Sequence, residues 1–219
     1  PQAPTGAAFI YVNDVNGENA IIVVPGAAGD ISVADVEAAA ETIRSSRVFV
    51  TQLEQPAEAA LAALRIARGA GVTTVFNPAP AAPFDPAIYP LVDYITPNES
   101  ETAAMVGFPV ETIEDAKRAG DVLLKKGVGV ALITLGEKGA LFHAKDRSEL
   151  VPAFHVAAVV ETAGAGDAFN GGFAAALAEG RDPLAAARFG CAVAGIAVTR
   201  AGTAPAMPRR AEVEALLNR

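Results

Sequence analysis

The chain has a single cysteine, Cys191, in 219 residues. That excludes an internal disulfide and fits a reducing cytoplasm. There are only two histidines, and neither lies near the cysteine in sequence, so no zinc site is expected. No run of roughly 18 apolar residues escapes a charge or a turn breaker, so no membrane-spanning helix is expected. Residues 1–11 carry neither the basic region nor the apolar core of a secretory leader. Positive charge is also scarce: 17 Lys and Arg stand against 25 Asp and Glu, a net charge of −8. That balance opposes nucleic acid or an anionic membrane as a general partner, while leaving room for a small anion bound locally.

What the chain does have is alternation. Apolar, β-branched segments at 47–52, 72–76, 91–95, 128–134 and 141–143 read as strands, most of them buried. Helical patterns fall at 33–45 (with Ser32 a candidate cap), 56–69, after 96–101, and at 112–126, 168–179, 183–199 and 209–218. Two further strands are expected at 7–13 and 20–24 around a turn at 14–19, where Asn16-Gly17 is a turn dipeptide. No linker divides the chain, and 52% of it is hydrophobic. The expectation is one α/β domain over 1–219, a three-layer α-β-α arrangement with a mostly parallel, doubly wound sheet. His143 and His155 lie in strand-like runs without obvious partners, which suggests structural roles.

The chemistry concentrates in Glu161-Thr162-Ala163-Gly164-Ala165-Gly166-Asp167-Ala168-Phe169-Asn170-Gly171-Gly172. A β-branched run at 155–160 leads in and a small-residue helix leads out, so the expected order is strand, glycine turn, helix. Backbone N–H groups of such a turn point into the space before the helix, which also feels the positive end of the helix dipole. Gly164 and Gly166 let backbone approach a phosphoryl group closely. No Gly-Lys-Ser/Thr follows, so this is not a P-loop, and the third glycine of the dinucleotide fingerprint would fall on Phe169. An acid beside an anion hole suggests phosphoryl transfer, the acid taking the proton of an attacking hydroxyl. Asp167 could instead serve only as a helix-terminal acid, a common use of Asp.

The stretch resembles the second signature of the ribokinase-like (pfkB-type) carbohydrate kinases, Asp-Thr-x-Gly-Ala-Gly-Asp-x-Phe, with Glu161 in place of the first Asp. Other family segments occur in the family's order. Gln-Leu-Glu-Gln-Pro carries Glu54, the acid that contacts a sugar hydroxyl in the family. Asn77-Pro78-Ala79-Pro80 reads as a rigid wall of the site. Thr96-Pro97-Asn98-Glu99-Ser100-Glu101 implies Asn98 and Glu101 near hydrated Mg²⁺ and the nucleotide phosphates, although Asn98 and Glu101 also have the spacing of a capping box. Thr134-Leu135-Gly136-Glu137-Lys138-Gly139 is similar to the family's nucleotide loop. Cys191 falls where the family usually has Asn or His near the adenine, a position where a thiol fits packing better than chemistry. Residues 200–206 resemble the loop bordering adenine and a monovalent-cation site. There the resemblance implies Glu161, Ala163, Ala197, Arg200, Gly202 and Ala206, mainly through carbonyls. Glu161 for Asp and Ala206 for a frequent Ser depart from the family's pattern here and weaken the implication of potassium activation.

The resemblance therefore implies a kinase using ATP and Mg²⁺, with K⁺ a further candidate. Its partners would be a sugar and ATP. The single cysteine fits a cytoplasmic protein, and a sheet edge left open where the family's leading strands are missing would recruit a second copy, giving a homo-oligomer, a dimer. Asp167 would be the base, in contact with the sugar hydroxyl. Gly164, Ala165 and Gly166 would neutralise developing charge. Ribose to ribose 5-phosphate is the first substrate choice; fructose, 2-keto-3-deoxygluconate and a nucleoside are alternatives. The resemblance begins inside the family's pattern: residues 5–24 match part of a small β lid and 25–219 an α/β core. The family's leading strand, Asn-x-Asp segment and Gly-Gly signature do not occur, so a non-catalytic nucleotide-binding fragment is the other expectation.

Overall fold

A computed structural model describes residues 3–12 and 19–218. The expected Asn16-Gly17 turn lies outside the described residues. The elements, in order, are β1 (Thr5–Val12), β2 (Asn19–Gly26), α1 (Val33–Ala38), α2 (Ala40–Ser45), β3 (Val48–Thr51), α3 (Ala57–Gly69), β4 (Thr73–Phe76), β5 (Tyr94–Ile95), α4 (Glu99–Val106), α5 (Ile113–Lys125), β6 (Val130–Thr134), β7 (Ala140–Ala144), β8 (Arg147–Val151), α6 (Ala165–Ala178), α7 (Pro183–Ala197) and α8 (Arg210–Leu217). β1 and β2 form a two-stranded sheet, and β3 to β8 form a six-stranded sheet in sequence order. The strands run parallel from β3 to β6, with Val48 beside Thr73, Phe76 beside Ile95 and Ile95 beside Ala131. Among the described residues no helix is long and apolar enough to cross a membrane.

The chain divides into two compact units. The first is Pro1–Ala7, Val24–Leu135 and Leu141–Glu149; the second is Ala8–Val23, Gly136–Ala140 and Leu150–Arg219. In the first, Leu64, Val75, Phe76, Ile88, Ile95, Leu123, Leu132 and Ile133 are almost wholly buried. In the second, α6 and α7 pack through glycines. A Cβ on Gly172 would stand 2.7 Å from Val193 Cγ2, and one on Gly190 2.8 Å from the Phe169 carbonyl. Any larger residue would push these helices apart.

Several elements differ from the sequence expectation. The helix expected over 33–45 breaks at Ala39, and the shorter segments set Val36 and Ile43 against Ala63, Ala67 and Val72. Ser32 does cap α1, in a reciprocal box with Asp35. The strand expected over 47–52 is half-buried rather than buried: it is the first in the sheet order, and Val50 is 42% exposed. β5 is only two residues long because a proline-started 3-10 turn, Pro86–Leu91, takes up the preceding chain. The run at 155–160 is not a strand. Its valines had strand propensity, but a strand needs a pairing neighbour, and instead Val160 N–H and Glu161 N–H both donate to the Val198 carbonyl. β8 has no counterpart in the expectation, because Arg147, Ser148 and Glu149 are exposed and mask any apolar alternation. His143 does have partners: Ser148 Oγ lies 2.9 Å from Nδ1 and Asp121 Oδ1 3.1 Å from Nε2. His155 lies in irregular chain, not a strand.

Candidate active site

In the first unit, four parallel strands deliver their candidate residues at their C-terminal ends, where ligands gather in open α/β sheets. The loops are tied side by side. Leu53 N–H donates to the Ala79 carbonyl at 2.8 Å, and Asn77 N–H to Thr51 at 2.9 Å. Asn77 Nδ2 donates to the Thr96 carbonyl at 2.7 Å. Thr134 N–H and Oγ1 both donate to the Pro97 carbonyl, at 2.9 and 3.3 Å. Glu54 is exposed on the first of these loops. The Gln52 amide beside it keeps a buried Oε1 without a partner. The wall expected at 77–80 includes a cis Ala79–Pro80 bond.

Asn98 caps α4 with Glu101 as reciprocal partner. Asn98 Oδ1 accepts from Glu101 N–H and Ser100 Oγ, both at 2.8 Å. Glu101 Oε2 accepts from Asn98 N–H at 2.8 Å and Oε1 from Asn98 Nδ2 at 3.0 Å. Burial raises the Glu101 carboxyl above its ordinary range; the Asn98 N–H bond opposes this and Glu99 adds to it. Both Glu101 oxygens are thus already engaged, so the donor set suits Mg²⁺ reached through water rather than direct coordination. Among the described residues no group of three His, Cys, Asp or Glu gathers to hold a metal by itself.

In the second unit, Gly136–Lys138 is a 3-10 turn that closes with Gly139 N–H on the Gly136 carbonyl at 3.1 Å. Gly139 must be glycine. Its φ is +106°, and a Cβ would lie 2.0 Å from the Val151 carbonyl. Glu137 and Lys138 are exposed on this turn, and Leu135 before it is buried.

The glycine turn is sharper than expected, since α6 begins at Ala165 rather than Ala168. Gly164 is the N-cap, at φ +75° and ψ 5°. A Cβ there would press on Thr203 Cγ2 at 3.3 Å, whereas one on Gly166 would meet nothing within 4 Å. Backbone at Gly166 is therefore bare on a side where nothing packs, which fits a cradle for a phosphoryl group. Asp167 stands in the first turn, where N–H groups have no intrahelical acceptor. Its surface is open to solvent, yet partial burial of its carboxyl raises the pKa.

One hydrogen bond joins the 200–206 loop to this turn, Gly202 N–H donating to Glu161 Oε2 at 2.8 Å, and Thr203 occupies the space that a Cβ on Gly164 would need. Sequence reasoning named Glu161 and Gly202 but not the bond between them, nor Thr203. The pairing spans 41 residues, and no local pattern encodes it. Ala197 and Ala206 are buried, and the Arg200 guanidinium is engaged by Glu212. Cys191 is 5% exposed in α7, with its thiol pushed up to about 12 by burial, which fits packing.

Comparison with known proteins agrees with these motifs. The pfkB family carbohydrate kinase profile matches residues 1–210. The chain is 39% identical to the ribokinase of Haemophilus influenzae, over 96% of this chain and 68% of that protein. It is 36% identical to the deoxyribokinase of Salmonella typhimurium, over 95% and 68%. Among solved structures it resembles ribokinase from Thermotoga maritima, with TM-score 0.88 and 37% identity over 99% of this chain and 71% of that one. The Arabidopsis thaliana ribokinase complexed with ribose and ATP gives 0.89 and 30%, over 100% and 70%. The chain thus has their α/β fold with a mostly parallel sheet, and with a family profile spanning nearly all of it, it belongs to the pfkB family of carbohydrate kinases.

Proposed function

We propose that the chain, one ribokinase-like domain over 1–219, moves the γ-phosphoryl group of ATP to the primary hydroxyl of ribose, giving ribose 5-phosphate. The observation that carries this reading is Asp167: a carboxyl with raised pKa in the first turn of α6, next to backbone left bare by Gly166. A base needs a pKa nearer neutrality than an ordinary aspartate has, and partial desolvation moves it that way. Asp167 takes the proton of the attacking hydroxyl. The N–H groups of Gly166 and Asp167 face the developing negative charge, where preorganised donors lower the barrier most; the Ala165 N–H donates to the Thr162 carbonyl and shapes the turn instead. Glu54 accepts a hydrogen bond from the sugar. Asn98, Thr134, residues 135–139 and Cys191 serve the nucleotide side, Cys191 by packing rather than chemistry.

Magnesium would be held through water by Asn98 and Glu101, and when bound it neutralises phosphate charge. Carbonyls of Ala163, Ala197, Arg200, Gly202 and Ala206, with the Glu161 carboxylate, form the donor set for a monovalent cation such as K⁺. Strands β1 and β2 expose Phe9, Tyr11, Ile22 and Val24, and two copies meeting there would give a dimer in the cytoplasm. Support for ribose comes from relatives named ribokinase and the complex with ribose and ATP. The relative named deoxyribokinase puts 2-deoxyribose next on the panel.

The test is ATP-dependent phosphorylation of ribose, 2-deoxyribose, fructose, 2-keto-3-deoxygluconate and adenosine, with the product identified by phosphorus NMR. Ribose should be preferred and the 5-phosphate formed. Mg-ATP binding with no phosphorylation of any acceptor would reject catalysis and leave a nucleotide-binding protein.

A further inference from the structure

Asn170 lies on α6 four residues after Gly166 and is only 8% exposed. Its Nδ2 donates to the Gly166 carbonyl at 3.0 Å, while its Oδ1 is buried with no hydrogen-bond partner. The bond explains how the amide is turned, since the reverse orientation would set two carbonyl oxygens face to face. Stability does not explain why an amide is there at all. An unpaired buried acceptor works against the fold, and leucine, close in volume, would leave none. The donor is the part of this side chain with a use.

Its acceptor shows what that use is. The Gly166 C=O and the Asp167 N–H are opposite ends of one planar peptide unit. Holding the oxygen on the helix side holds the N–H toward the space before the helix. Glycine restrains its own backbone less than any other residue, and nothing packs where a Gly166 Cβ would be. The next unit is tied by Ala168 N–H on the Gly164 carbonyl at 2.9 Å, and the turn two units earlier by Ala165 N–H on the Thr162 carbonyl at 3.1 Å. The Gly166–Asp167 unit has the Asn170 amide as a second hold on its oxygen beside the ordinary helix bond.

We propose that Asn170 is a positioning residue for phosphoryl transfer: by gripping the Gly166 carbonyl it aims the Asp167 N–H, and the base attached to the same backbone, at the transferring group. The proposal rests on the glycine turn being the place of transfer, as read above. Asn170 acts through the Gly166–Asp167 peptide and need not touch substrate. A donor aimed in advance needs no reorganisation when charge develops.

The test compares Asn170→Leu with Asn170→Thr. A threonine hydroxyl can donate to the carbonyl four residues back; leucine cannot. The first readout needs no activity: backbone ¹⁵N order parameters of Gly166 and Asp167 should be about 0.85 in the parent and Asn170→Thr, and fall toward 0.6 in Asn170→Leu. The second is kinetic. Asn170→Leu should lose about 10-fold in kcat, less than the roughly 10²–10³-fold for deleting such a donor outright, with both KM values nearly unchanged. Asn170→Thr should recover most of the loss. Unchanged order parameters in Asn170→Leu, unchanged kcat in Asn170→Leu, or a threonine variant no better than leucine would each overturn the proposal. Asn170→Ala replaces the leucine variant if that one fails to fold. A parent protein that phosphorylates no sugar would sink the functional reading, while the order parameters would still decide the role of Asn170.

Discussion

Asp167→Asn should produce two effects of opposite sign from one near-isosteric change. The amide keeps the side chain's shape but cannot accept the proton of a hydroxyl. If Asp167 is the base, turnover falls by roughly 10²–10⁴-fold, about 2.7–5.5 kcal/mol of barrier at 1.36 kcal/mol per decade. Stability should move the other way. Burial raises the folded-state pKa above the ordinary aspartate value of 3.8, so the folded protein binds this proton more tightly than the unfolded chain. Its contribution to stability therefore falls as pH rises from about 3.8 through the raised value. The helix N-terminus returns about 0.3–1 kcal/mol to an anion in the first turn, but the upward shift means burial outweighs it. Asparagine bears no such penalty. The variant should melt at the same temperature as the parent or higher at pH 7, and that gap should close as pH falls toward 4. In the parent, turnover should fall as pH drops through the raised Asp167 value. The assays are ADP release with ribose from pH 5 to 8 and thermal unfolding from pH 4 to 8. Undiminished turnover would refute Asp167 as base, and a lower melting temperature at pH 7 would refute the desolvation argument.

Asn98→Ala removes the cap of α4 and leaves the buried Glu101 Oε1 without its Asn98 Nδ2 donor, while the backbone N–H bond to Oε2 stays; we expect a loss of about 1 kcal/mol, or about 2–4 °C in melting temperature, and weaker Mg-ATP binding by calorimetry. Gly195→Ala places a Cβ 2.4 Å from the Phe154 carbonyl; because backbone must move, denaturant titration should show a loss of about 1–3 kcal/mol. Glu161→Ala deprives Gly202 N–H of its acceptor; hydrogen exchange over 200–206 should quicken, and unchanged exchange would count against the latch. The Cys191 thiol, pushed up to about 12, should react with a disulfide reagent at pH 8 only after denaturation.

The parts of the site that were legible in the sequence are those built by short-range rules. Gly164 and Gly180 sit at positive φ where a helix starts and stops. Asn98 and Glu101 fell at capping-box spacing and do cap α4. Alternation of strands and helices was enough for the α/β class, because each pattern depends only on its own segment. The misreadings share one cause. Residues 155–160 had the composition of a strand but no pairing neighbour, and 147–151 paired despite an unpromising composition. The helix over 33–45 broke where packing of Ile43 and Val36 prevailed over an unbroken helical pattern.

The sequence by itself determined the glycine turn, the acid that follows it and the order of the site segments, since backbone freedom at glycine and the placement of a first-turn carboxyl are local properties. Tertiary structure alone decided what those residues experience. The raised pKa of Asp167 comes from partial burial. The hold on the 200–206 loop comes from a carboxylate 41 residues from the N–H it accepts. The bare side of Gly166 and the orphaned oxygen of Asn170 depend on what the rest of the fold does, and does not, bring beside them. Desolvation and long-range hydrogen bonds are sums over neighbours, and a linear sequence does not say who the neighbours are.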